Sequence, residues 1–278
     1  MREERIMNLI KSIPEIVSQG KLVMLIIDGL GSNKLSLPFL KMRVYRTVFP
    51  SSTPTFLYSL HSLLEPKRHG FLEWYMRFKG EPITIPPWKT ISGKELKLRE
   101  DINRREVFPF KSLSEKLYRK GFSSCYYTPF AESAFTRASG KRAKLVRIDY
   151  LSEVFPLDES DFTLIYWPSA DSIIHKRLTD DGFRVEMKFL ELFVRILWKR
   201  IERNTRLLVL SDHGLTEVRK RYKLPVIEEY PVGGSRVSFY RNVEKEEVER
   251  EIRRRRIKAN VFELKELEEF KGNVSRRC

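Results

Sequence analysis

Lys21-Leu22-Val23-Met24-Leu25-Ile26-Ile27-Asp28-Gly29 decides the fold class. Six apolar residues in succession, with no polar residue at alternate positions, do not suit a sheet with one wet face. Such a run reads as a strand buried on both sides, the kind found in parallel sheets, and Asp28-Gly29 ends it in a turn. The same pattern returns at Phe162–Trp167 (FTLIYW) and Arg206–Leu210 (RLLVL), with shorter apolar runs at 122–127 and 145–148. Helical spacing fills the intervals. Ile6, Leu9, Ile10, Ile13, Ile16 and Val17 mark a helix within 2–19. An apolar segment at 56–64 and a stretch at 111–120 read as two more. The strongest helical pattern is 181–201, with Phe189, Leu192, Phe193, Ile196, Leu197 and Ile201 expected on one face. Val237–Tyr240, a Glu- and Arg-rich helix at about 244–256, and Asn260–Leu264 close the pattern as strand, helix and strand.

This alternation predicts an α/β fold, a mostly parallel central sheet flanked by helices on both faces. No internal repeat or low-complexity linker divides the chain, so residues 1–278 are expected to form one domain. Residues 71–110, rich in Trp, Pro, Lys and Arg and without a clean period, are expected to form a hairpin or lid insertion.

Composition bounds the function. No apolar run approaches the roughly 18 residues of a membrane span. The charged start Met1-Arg2-Glu3-Glu4-Arg5 reads as a surface helix rather than a signal peptide. Two cysteines, Cys125 and Cys278, fit a reducing cytoplasm and exclude both a disulfide framework and a structural zinc knuckle. The net charge of +16 suits an anionic partner such as nucleic acid, a nucleotide or a phosphorylated substrate. Charged residues reach 32% and basic residues are interleaved with Glu, which fits better the ion-paired surface of a heat-adapted protein.

Chemistry collects where the strands end. Asp28, Asp171 and Asp212 each follow an apolar run, directly or within a few residues, and open α/β sheets bind ligands beyond the carboxyl ends of their strands. Three carboxylates gathered at one edge repel one another unless a cation neutralises them. His175 stands four residues after Asp171, on the same face of a helical turn, and His213 is adjacent to Asp212. Mixed Asp and His donors favour zinc, manganese or iron over calcium; taken singly, each motif could also be a cap or a turn. Pro50-Ser51-Ser52-Thr53-Pro54-Thr55 puts hydroxyls before a helix, where they either cap it or lie beside backbone N–H groups suited to a phosphoryl anion.

The ordered set LIIDG (25–29), FPSST (49–53), His69-Gly70, D-x-x-x-H (171–175) and SDHG (211–214) resembles the type I phosphodiesterase/nucleotide pyrophosphatase branch of the alkaline phosphatase superfamily, over residues 22 to about 240. The resemblance implies a metal-dependent hydrolase of phosphodiester or pyrophosphate bonds that acts through a phosphothreonine intermediate on Thr53. It implies one divalent metal, zinc or manganese, held by Asp28, Thr53, Asp212 and His213. A second metal would be held by Asp171, His175 and a further downstream His. No histidine follows His213, so that last ligand departs from the family pattern; water, Glu228 or Glu229 could replace it, or the second metal could be lacking. His69-Gly70 matches a turn that is structural in the family.

Arg236, in the Gly-rich stretch 230–236, either holds a phosphate oxygen or packs its loop, and Asn33 is a possible phosphate contact. The expected substrate is a phosphorylated small molecule or nucleotide, with nucleic acid a less favoured partner. The pocket walls are expected in 71–110 and 128–142. Phe71, Trp74, Tyr75 and Trp88 there could stack a base or simply pack the core. Ser52-Thr53-Pro54-Thr55-Phe56-Leu57 lacks the Arg of a sulfatase nucleophile motif, and the chain has no room for the inserted domain of cofactor-independent phosphoglycerate mutases. The alternative is a catalytically impaired protein that uses the same scaffold to bind phosphate or nucleic acid.

Overall fold

The computed structural model describes residues 4–32, 35–176, 180–215, 218, 220–224 and 232–267. In chain order the main elements are α1 (Ile6–Ser18), β1 (Leu22–Ile27), α2 (Thr53–Ser62), β2 (Tyr75–Phe78), β3 (Glu81–Thr84) and β4 (Lys89–Thr90). There follow α3 (Leu113–Tyr118), β5 (Ser124–Thr128), α4 (Ala134–Ser139), β6 (Lys144–Arg147), β7 (Phe162–Trp167) and α5 (Ser169–His175). The chain continues with α6 (Asp180–Arg200), β8 (Arg206–Leu210), β9 (Val232–Gly233), β10 (Ser238–Phe239) and α7 (Lys245–Arg254).

Five strands form the expected parallel sheet in the order β8-β1-β7-β5-β6. Alternate residues of a strand face opposite ways, and β1 divides accordingly. Leu22, Met24 and Ile26 pack with residues of α1, α2, α3 and α4, whereas Val23, Leu25 and Ile27 pack with α6. Every residue of β1 is buried, which is why its sequence carries no alternation.

Residues 71–110 do contain a hairpin. Here β2, β3 and β4 pair antiparallel, and β9 and β10 extend them into a second sheet, in the order β10-β9-β2-β3-β4. The strand expected at 237–240 therefore belongs to this antiparallel sheet and not to the central one. The strand expected at 260–264 is not formed: 260–263 is irregular and Leu264–Glu266 is a 3-10 turn. Phe262 there is exposed, so the stretch lacks the buried face that would favour a strand.

Helix α6 also corrects the sequence reading. Met187, Leu190, Phe193, Val194 and Leu197 are buried, while Phe189, Leu192 and Ile196 are exposed. The helix carries two apolar stripes, and packing on the sheet, not local periodicity, selects which one turns inward. Phe71 and Trp88 are core residues, Phe71 stacked on Tyr58 and Trp88 edge-to-face with Phe78, so of the four aromatic candidates only Trp74 and the exposed Tyr75 are left for a ligand. No helix among the described residues is long and apolar enough to cross a membrane.

Candidate active site

The sheet order brings the three aspartates together. Asp212 follows β8, Asp28 follows β1, and Asp171 lies in the first turn of α5 just after β7; these are three adjacent strands. Main-chain bonds lock the edge. The Asp28 N–H donates to the Trp167 carbonyl at 3.0 Å, and the Asp171 N–H to the Asp28 carbonyl at 3.1 Å. Asp212 Oδ1 accepts from the N–H groups of Gly29 at 3.0 Å and His213 at 2.8 Å. Gly29 is in the left-handed region at φ 67°, and a Cβ there would stand 2.8 Å from the Asp171 Cβ. The close approach of β1 and α5 thus depends on glycine.

Thr53 is the first residue of α2 and is buried. Its Oγ1 donates to Asp28 Oδ1 at 3.1 Å and lies 3.1 Å from His213 Nε2. Pro54 presets the first turn, and Ser52 makes no side-chain cap, its hydroxyl meeting Thr55 Oγ1 at 3.0 Å instead. The first-turn N–H groups are thereby left for an anion. His213 Nδ1 donates to the Gly214 carbonyl at 3.1 Å, which fixes the ring. Nε2 is then the atom turned toward Asp28 (3.4 Å) and Asp212 (3.6 Å).

The electrostatics are those of crowded negative charge. Burial raises the Asp28 carboxyl, but hydrogen bonds from His213 and from Tyr166, whose hydroxyl bonds Oδ2, bring it below the ordinary range. Burial and the Asp28 charge push Asp212 up to about 7. Burial opposes the charged form of His213, yet its bond to Asp28 and the Asp212 and Asp28 charges lift it to about 9. Burial and Asp28 also raise Asp171.

This donor set fits a divalent cation. Ligand atoms of Asp28, Asp212 and His213 lie within 4.8 Å of one another. Asp212 Oδ2 and Asp171 Oδ1 are buried with no hydrogen-bond partner, a costly state for carboxylate oxygens that a cation relieves. His175 Nε2 is 3.4 Å from Asp171 Oδ2 but the side chain is 74% exposed, so this second pair is more open than the first. The two remaining histidines are buried elsewhere. His69 is structural as expected: Nδ1 accepts from the Phe71 N–H at 3.0 Å, leaving the Nε2 proton for Ser59 Oγ at 2.9 Å. Asn33, Glu228 and Glu229 lie outside the described residues.

Glu73 escaped the sequence reading. It is 4% exposed, sits at φ 62°, donates its N–H to Thr55 Oγ1 at 3.1 Å and bonds the Ser52 side chain. Burial raises its pKa, offset by Ser52 and by the charges of Arg236 and His213. Gly234 clears space for its carboxyl, since a Cβ there would overlap Oε2. Glu73 thus stands beside the first turn of α2 and feels the charge of the exposed Arg236. The only signal in the sequence was an acid inside the apolar run Phe71-Leu72-Glu73-Trp74-Tyr75-Met76.

No curated protein matches the chain. The family described as type I phosphodiesterase / nucleotide pyrophosphatase matches residues 22–273, a span that takes in every residue of the site. This family lies within the alkaline phosphatase superfamily and consists of enzymes that hydrolyse phosphodiester and pyrophosphate bonds, typically with metals. A parallel sheet that gathers Asp28, Asp171 and Asp212 around the first turn of α2 is consistent with that fold, and the chain belongs to the type I phosphodiesterase/nucleotide pyrophosphatase family.

Proposed function

We propose that the protein is a metal-dependent hydrolase of phosphodiester or pyrophosphate bonds in phosphorylated small molecules or nucleotides, with Thr53 as nucleophile and a phosphothreonine intermediate. The observation that carries this reading is the convergence of Asp28 Oδ1 and His213 Nε2 on Thr53 Oγ1, each at 3.1 Å. Asp28, Asp212, His213 and Thr53 would hold one cation and Asp171 with His175 a second, zinc or manganese being suited to these donors. Bound there, the metal supplies Lewis acidity to the hydroxyl and to the phosphoryl oxygens.

The chain's own groups do the rest. Asp28 takes the hydrogen bond of the attacking hydroxyl, and Tyr166 fixes the carboxylate in place. The first-turn N–H groups of α2 face the phosphoryl oxygens and favour their charge. Arg236, steered by Glu73, holds a further oxygen through its fork of donors, and Asn33 is assigned the same task. As Thr53 Oγ1 bonds to phosphorus, its proton is lost and the ester or anhydride P–O bond breaks, so that the alcohol or phosphate leaves protonated; water then attacks the phosphothreonine and restores the hydroxyl. Hydrolysis of bis(4-nitrophenyl) phosphate after chelation, and again after re-addition of zinc or manganese, tests the reading. Activity should vanish and return. Activity indifferent to chelation contradicts it.

A further inference from the structure

A cavity of about 370 Å³ opens beside Thr53 and runs inward along α2. Thr53, Leu57 and His61 line it, and their spacing of four residues sets them on one stripe of the helix, spanning about 12 Å. The facing wall is Ile26, Tyr126, Leu164 and Tyr166, side chains that the central sheet turns toward α2. Among the described residues, charged side chains touch it only at Asp28 and Asp171, beside Thr53, and at the exposed Lys89 and Glu95. Among the described residues no arginine, and no lysine but Lys89, reaches its wall.

His61 lies at the far end of the stripe. It is 5% exposed, and its ring sits 5.5 Å from both Tyr126 and Phe135 between centroids. Its Nδ1 has no hydrogen-bond partner, and burial alone lowers its pKa to about 3, so the ring is neutral. A neutral imidazole brings one donor and one acceptor to a wall that is mostly apolar but also carries the hydroxyls of Tyr126, Thr128 and Tyr166. Leaving Nδ1 unpaired is unfavourable, and an aliphatic side chain would have filled the position without that penalty.

We propose that this cavity takes the uncharged organic group of the substrate ester, an apolar or aromatic moiety whose distal hydroxyl, carbonyl or ring nitrogen pairs with His61. Among the described residues only the exposed Lys89 offers a second phosphoryl group a cation there, and no arginine fork meets it. The assignment rests on the hydrolase reading only for the word substrate. Within that reading it favours esters of an organic alcohol over pyrophosphates.

The test is calorimetric binding to the zinc-loaded Thr53→Ala protein, with and without His61→Phe. Three probes share one scaffold: biphenyl-4-ylmethylphosphonate, its 4′-hydroxy analogue, and the analogue with a 4′-phosphate. The hydroxyl is expected to tighten binding about tenfold over the parent, with the gain lost in His61→Phe and the distal phosphate bound least. His61→Leu serves if the Phe variant does not fold. The assignment is overturned by no binding of the parent, by equal binding of parent and hydroxy probe, by a gain that survives both variants, or by tight binding of the distal phosphate. A protein that shows the preference but hydrolyses no phosphodiester removes the hydrolase reading and keeps the cavity assignment. Hydrolysis without the preference does the reverse.

Discussion

His213 Nε2 stands 3.1 Å from Thr53 Oγ1, across 160 residues of chain. The contact exists because β8 and β1 are neighbours in the central sheet and α2 begins above their carboxyl ends. Thr53, Asp28, Asp212 and His213 are therefore held together at one edge of the sheet.

Asp212→Asn should have opposite effects with and without metal. Asn keeps an oxygen for the Gly29 and His213 N–H groups but removes a buried charge that Asp28 repels. The chelated protein at pH 8 should gain stability, by about 1–4 kcal/mol in urea unfolding, while bound metal falls in elemental analysis. A chelated variant less stable than wild type would show that Asp212 is structural.

Gly29→Ala meets both a left-handed backbone and the Asp171 side chain. A loss of about 1–3 kcal/mol is expected, together with reduced hydrolysis because Asp171 is displaced from the edge. Unchanged unfolding and turnover would mean that α5 can move aside at no cost.

Stability should fall in mild acid because of His61 and His69. Burial lowers both to about 3 from 6.5, so the unfolded chain binds more protons below 6.5. Their contribution is fully present above pH 6.5 and is lost as pH falls toward 3. Between pH 6 and 5 each should remove about 1.4 kcal/mol per pH unit. Urea titrations of wild type and His61→Phe check this: the variant should lose roughly half of the histidine slope, and an identical slope would contradict it.

Arg236→Ala separates phosphate binding from loop packing. If Arg236 holds a phosphate oxygen, KM for a diester should rise about tenfold with a smaller change in kcat. Gly234→Ala, which drives a Cβ into the Glu73 carboxyl, should reproduce part of that effect. Loss of folding stability in Arg236→Ala without a KM change would assign the residue to packing.

The parallel sheet was legible because each of its long strands is buried on both faces, so LVMLII and FTLIYW have no polar alternation to confuse. The aspartates were legible because they follow those runs directly or within a turn. The antiparallel sheet was not. Its strands are two to four residues long, and β2 pairs with β9 more than 150 residues away, at Tyr75 and Gly233; local pattern carries no record of such pairing. Glu73 and Tyr166 were missed for a related reason: a charged residue reads as surface and a tyrosine in a buried strand reads as core. Only the assembled edge shows the Tyr166 hydroxyl on Asp28 and the Glu73 carboxyl over Gly234.

The central claim is that Thr53 attacks phosphorus from a metal site built by Asp28, Asp212 and His213. Its most direct test is the rate of bis(4-nitrophenyl) phosphate hydrolysis by metal-reconstituted wild type and Thr53→Ala at equal metal content. The expected result is an active wild type and a variant slower by about a thousandfold or more. Equal rates in the two proteins would contradict the claim.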